Sequence, residues 1–145
     1  HLLRLALRGF SYMKEHGLTK AEKLCSQTLI DKLFNEGKAF IAYPYRIVYR
    51  IEESSRELPS FFISIPKRNF KRAVKRVLLR RRTREAYRLH KQIITEPLVR
   101  QNRTMQIAFL YLDKKINEYA LLERKMTEAL QKLAAYIENN PPKQS

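Results

Sequence analysis

"FKRAVKRVLLRRRTREAYRLHK", residues 70–91, is the stretch on which the reading of the fold turns. Between Lys67 and Lys91 twelve Lys and Arg residues stand against one acid, Glu85, so this segment holds eleven of the chain's sixteen excess positive charges. An α-helix advances about 100° per residue. Arg76, Arg80, Arg84 and Arg88, each four apart, therefore form one ladder, with Arg81 and Lys91 beside it. Leu78, Leu79, Ala86, Leu89 and Ile93 gather on another arc, which is expected to pack on a sheet. The spacing predicts one amphipathic helix over about 70–94, ended by Thr95 and Pro97. Val77 stands inside the arginine arc, where an apolar residue has no packing role of its own.

A run of charge on a helix is most often a solvated face, but a solvated face mixes signs. Like charges four residues apart repel by about 0.2–0.5 kcal/mol per pair. Here the single nearby acid is out of register with the arginines. A one-sign ladder makes physical sense when phosphates neutralise it, and the planar guanidinium fork suits phosphate oxygens. Arg72, Arg76, Arg80, Arg81, Arg84 and Arg88 are the expected phosphate-contacting set.

Working outward, the chain of 145 residues carries a net charge of +16 and a pI near 10.2. Such an excess points to a polyanionic partner, nucleic acid before an anionic membrane. An apolar content of 44% supports a real core. Cys25 is alone, which leaves no disulfide framework and no cysteine-based metal site and fits a reducing cytoplasm. No apolar run approaches a membrane span. Residues 1–12, interrupted by Arg4 and Arg8, are read as a leader outside the functional unit, with Met13 the natural start; 13–140 form one domain and 141–145 a tail.

Upstream, 19–36 shows helical apolar spacing at Leu29, Ile30, Leu33 and Phe34. Leu18 and Thr19 are placed as N′ and N-cap, Glu22 as the capping-box partner, and Gly37 as the helix stop. In "AFIAYPYRIVYRIE", 39–52, Pro44 separates a short edge piece from a strand over about 45–52. Tyr45, Ile47, Tyr49 and Ile51 alternate there with Arg46, Val48, Arg50 and Glu52. "SFFISIP" is a further strand and 104–113 another. Residues 116–138 form a last amphipathic helix whose stripe of Ile116, Tyr119, Leu122, Met126, Ala129, Leu130, Leu133 and Ile137 is core. The expected class is α/β (α+β): a two-layer sandwich with a mixed sheet of about four strands and three helices, in the order α-β-β-(β)-α-β-α.

Nothing here reads as a catalytic centre. Asp31 and Asp113 are the only aspartates, and neither has a carboxylate three or four residues away. His16 and His90 read as surface residues and Cys25 as a small buried hydrophobe. Phosphate loops are absent. Single-stranded RNA, by contrast, is gripped by cations along its backbone and aromatic faces for its bases. Tyr45 and Tyr49 project from one strand face and suit that role, or else are core aromatics with hydroxyls at the rim.

From these residues the chain resembles the protein subunit of bacterial ribonuclease P. That family carries an Arg-Asn-Arg signature in a basic helix, K-x-A-V-x-R-N-R-x-K-R-x-x-R-x-A-[FY]. The matching positions are Lys71, Ala73, Val74, Arg76, Arg80, Arg81, Arg84, Ala86 and Tyr87. "LIDKLFNEGKAF", "RIVYRI" and "FFISIPKR" extend the likeness, which covers roughly 18–138. Val77 and Leu78 replace the signature Asn and its following Arg, and Arg82 is expected to restore charge by reaching out from its stem. The resemblance implies a left-handed βαβ crossover and a cytoplasmic ribonucleoprotein whose RNA subunit does the chemistry with Mg²⁺. It implies that the basic helix contacts that RNA, and that a cleft between the sheet and a helix holds the 5′ leader of precursor tRNA. By position the cleft candidates are Phe34 and Tyr49, with Lys67 and Arg68 nearby. No membrane and no protein partner are required, and the protein alone is expected to have no nuclease activity. A ribosomal-type structural RNA-binding protein without a leader cleft is the alternative, and a protein-only nuclease is a third.

Overall fold

The computed structural model describes residues 18, 22–24, 26–53, 55 and 57–142. The expectations for the 1–12 leader, Met13, His16, Thr19, Cys25 and the last three residues of the tail lie outside them. The described elements are α1 (Gln27–Glu36), β1 (Lys38–Ala42), β2 (Tyr45–Glu52), β3 (Ser60–Ser64), α2 (Ala73–His90), α3 (Gln92–Arg100), β4 (Thr104–Tyr111) and α4 (Tyr119–Asn139).

The four strands lie in the order β1-β2-β4-β3. β1 and β4 pair with β2 antiparallel, while β3 runs parallel to β4. A parallel neighbour needs a long crossover, and α2 and α3 together supply it. The class is therefore the expected α+β, and the described residues form a mixed sheet of four strands with four helices instead of three.

The period-two alternation sorts the sheet into two faces. Tyr45, Ile47 and Tyr49 of β2, Phe61 of β3, and Met105, Ile107, Phe109 and Tyr111 of β4 join the main core beneath α2, α3 and α4. Val48 and Ala108 point the other way and pack with Leu33 of α1 and Leu24. Among the described residues a thin third layer, α1 with Leu24, thus adds to the two expected. Six of the eight residues predicted for the α4 stripe are buried, and Ile116 and Tyr119 pack against the same core.

Several element boundaries differ from the sequence reading. α1 begins at Gln27, because Ser26 takes the N-cap position and its Oγ accepts from the Leu29 N–H at 3.4 Å. Glu22 is buried, with both carboxylate oxygens on Lys91 Nζ at 3.1 and 2.9 Å, and the capping box expected of it with Thr19 lies outside the described residues. Gly37 does end α1, but with extended backbone (φ −77°, ψ 162°). What demands glycine there is a close approach, since a Cβ would lie 2.4 Å from the Leu33 carbonyl oxygen and 2.9 Å from that of Tyr49.

The basic helix is shorter than predicted and does not stop at Thr95 or Pro97. α2 ends at His90, Lys91 forms a turn, and α3 restarts with Pro97 inside it. The Thr95 N–H and hydroxyl both donate to the Lys91 carbonyl, which anchors the new first turn. A proline inside a helix costs about 3 kcal/mol. Complete burial of Ile94 and Leu98 on the same face as Pro97 offsets it, at about 1.5–3 kcal/mol each.

Candidate RNA-binding surface

Four interactions fix the orientation of α2. Leu79, Thr83, Ala86 and Tyr87 are its buried residues. The Thr83 and Tyr45 hydroxyls share a buried hydrogen bond of 2.7 Å, which ties the helix to β2. Arg82 donates to the Asn117 carbonyl at 2.7 Å, and His90 Nε2 lies 2.9 Å from a Glu123 carboxylate oxygen, which joins the helix to the start and body of α4. Lys91 then closes the C-terminal end against Glu22. Lys91 is thus buried, and it does not flank the arginine ladder as expected. Arg82 is half-buried, and its guanidinium donates to the Asn117 carbonyl, a neutral acceptor that leaves its charge in place. The predicted apolar arc is partly right: Leu79 and Ala86 are buried, Leu78, Leu89 and Ile93 are half-buried, and Thr83 and Tyr87 complete it.

With those anchors set, the six predicted arginines separate. Steps of four residues advance about 40° around a helix, so a ladder of four rungs winds through about a third of its circumference. Arg76, at the start, folds back and donates to the carbonyls of Phe70 and Lys71 at 2.6 and 2.9 Å. Arg80 and Arg84 are half-buried and line a shallow cavity of about 160 Å³ with Lys23, Leu24, Phe61, Phe62 and Ile63. Arg72 and Arg81 are exposed. Arg88, the last rung, makes a two-point pair with Glu85, with distances of 3.0 and 2.5 Å. Hydrogen bonding to Arg88 holds the Glu85 carboxyl below its ordinary value. Glu85 is therefore in register with Arg88, contrary to expectation. Arg72, Arg80, Arg81 and Arg84 form no ion pair with another described residue. Val77 is 48% exposed and Val74 71%, so both stand in solvent among the cations.

The residues predicted to form a leader cleft are not brought together. Tyr45 is fully buried in the main core, so it offers no face to a base. Tyr49 is on the same core-facing side of β2, 9% exposed, in edge contact with Phe40 and Tyr136. Burial pushes the phenol pKa of both tyrosines up. Phe34 is 43% exposed on α1, which covers the opposite face. Lys67 and Arg68 are exposed in the turn after β3. Of the two roles open to Tyr45 and Tyr49, the structure supports the core one, since the aromatic alternation of β2 marks the core-facing side.

The sheet face beside α1 is the one the described residues leave partly open, and sequence reasoning passed over it. Exposed Arg46 and half-buried Arg50, Phe62, Leu110 and Ser64 lie on it. Arg50 donates to Gln106 at 2.8 Å and sits 3.5 Å from Glu36 of α1. The signal was present in the alternation that set Arg46, Val48 and Arg50 opposite the tyrosines. Among the described residues no group of three or more His, Cys, Asp or Glu side chains is placed to hold a metal ion.

Fold and surface together define a small α+β protein with a strongly basic helix outside its core. Comparison with known proteins makes the class specific. The family model described as Ribonuclease P matches residues 18–134. The ribonuclease P protein component of Porphyromonas gingivalis ATCC 33277 is 37% identical over 122 residues, covering 83% of this chain and 89% of the relative. A Staphylococcus aureus RNase P protein mutant has the same fold with a TM-score of 0.64 at 18% identity, over 89% of this chain and 97% of that one. The Thermotoga maritima RNase P protein superposes with a TM-score of 0.62 at 18% identity, over 77% and 96%. The chain belongs to the ribonuclease P protein family.

Proposed function

We propose that this chain is the accessory protein subunit of ribonuclease P, the endoribonuclease that removes 5′ leaders from precursor tRNA. α2 meets the catalytic RNA through Arg72, Arg80, Arg81 and Arg84. The observation that carries this reading is their state: four arginines on one helix, exposed or half-buried and unpaired among the described residues. Self-repulsion on such a surface is relieved by phosphates, and releasing their counterions makes binding steeply salt-dependent. Arg76 shapes the helix start, and Arg88 contributes a charge already shared with Glu85.

The 5′ leader is assigned to the open sheet face beside α1, with Phe34 and Arg46 as its aromatic and cationic contacts. Lys67 and Arg68 are left as backbone contacts where β3 leads towards α2, and Tyr49, on the core-facing side of β2, takes no part. Mg²⁺ is assigned to the RNA, as the family resemblance implies. The particle would work in the cytoplasm; among the described residues no helix is long and apolar enough to cross a membrane. The family match leaves the ribosomal-type alternative without a supporting observation.

Reconstitution tests the reading. Precursor tRNA and a bacterial ribonuclease P RNA are combined at low Mg²⁺ with and without this chain. Cleavage at the mature 5′ end is expected to rise at least tenfold with the protein, about 1.4 kcal/mol of added stabilisation, while the protein alone cleaves nothing. Equal rates with and without the chain would remove the proposal.

A further inference from the structure

A second basic surface lies apart from the solvent face of α2. The turn before that helix and the loop after β4 enclose an open cavity of about 370 Å³, lined by Asn69, Phe70, Lys71, Arg72, Lys75, Lys114, Lys115 and Ile116. Five of those eight residues are cations and none is an acid. All five are exposed at the surface, and none is ion-paired with another described residue. The first turn of α2 contains no acidic residue either. Two segments about forty residues apart in sequence thus bring like charges to one concavity, which repels itself unless an anion sits there.

Both walls are held in place. On one side Arg76 clamps the Phe70 and Lys71 carbonyls. On the other, the buried Tyr111 hydroxyl donates to the Lys115 carbonyl at 2.8 Å and accepts from Asn117 Nδ2 at 2.6 Å. Asp113, the loop's own acid, accepts from the Lys114 and Lys115 N–H groups and from Asn117. Hydrogen bonding from Asn117 holds its carboxyl below the ordinary range. Arg82 of α2 grips the Asn117 carbonyl and so sets the second wall against the first. The cations have no such internal role.

We infer that this cavity is a phosphate-binding site that extends the RNA surface of α2 around its start onto the Lys114–Lys115 loop, where a backbone phosphate of the ribonuclease P RNA is held between the two walls. The inference rests on the proposed function above and adds a second point of contact to it. An acidic protein segment is the other polyanion such a cavity could take. RNA is favoured because Arg72 belongs both to the cavity lining and to the arginines proposed to meet RNA.

The test uses the full chain and a bacterial ribonuclease P RNA, with affinity measured across a range of salt. A Lys114→Gln/Lys115→Gln variant keeps the backbone acceptor for Tyr111 and alters only exposed side chains. Its plot of log affinity against log salt is expected to be shallower by about one unit, one phosphate contact. Arg80→Ala/Arg84→Ala should flatten the plot by about one unit per arginine. Inorganic pyrophosphate titrated into the free protein should shift backbone amide resonances of 71–75 and 113–116 in the wild type and not in the lysine variant. An unchanged slope for the lysine variant, with the arginine variant flattened, would overturn the cavity site and leave the reading of α2 standing. Unchanged slopes for both would overturn both.

Discussion

Val77 poses the residue-scale question, an apolar side chain at the position where the family signature has Asn. At 48% exposure it makes little core contact, and Val74 one turn earlier makes less. Surface substitutions of this kind change stability by about 0.5 kcal/mol or less. Val77→Asn is therefore expected to leave the thermal midpoint nearly unchanged and to keep or raise affinity for ribonuclease P RNA. A fall of several degrees in that midpoint would mean the side chain is packed after all. The same scale shows how far a side chain's use depends on its surroundings. Arg76, Arg82 and Arg88 are as basic as Arg81, yet each has a partner within the protein.

At the scale of elements, the stability of α2 rests on its two ends. Lys91 and Glu22 form a pair that is 7% and 2% exposed at the side chain. Removing one partner of a buried pair costs about 3–5 kcal/mol, because the other charge remains out of water, whereas replacing both by apolar groups is often neutral. Lys91→Ala should then lower stability by that amount in urea unfolding. Lys91→Met combined with Glu22→Leu should recover most of it. Equal losses in the two variants would show that shape, not the unpaired carboxylate, sets the cost. The break between α2 and α3 belongs to the same scale. Lys91, Ile94, Pro97 and Leu98 continue at helical spacing the face that Thr83 and Tyr87 bury, so the turn at Lys91 keeps that face on the core.

Across the whole molecule, the sheet separates two working surfaces. Its aromatic face is closed by three helices, its other face is only partly covered by α1, and the arginines lie on the crossover. Phe34→Ala with Arg46→Ala should thus weaken binding of precursor tRNA with a leader, by about 1–3 kcal/mol if one base stacks. Affinity for mature tRNA and for the RNA subunit should stay the same. Losing all three affinities together would place Phe34 and Arg46 in the fold instead of a leader site.

Read alone, the chain already specified its strands, its terminal helix and the charge of its central one. Those features follow from local periodicity: period two in "YRIVYRIE", 3.6 in the stripe ending at Ile137, and a one-sign run at 67–91. The same periodicity says that β2 has two faces, but not which of them the helices will cover. That was decided by the packing of α2, α3 and α4 on one face, which settled Tyr45 and Tyr49 in the core, the second of the two roles open to them. Tertiary contacts also decided which cations remain available, since a guanidinium finds its carbonyl or carboxylate through space: Arg82 meets Asn117 and Lys91 meets Glu22, 35 and 69 residues away. No short-range pattern encodes such meetings, because they exist only once the sheet has brought distant segments together.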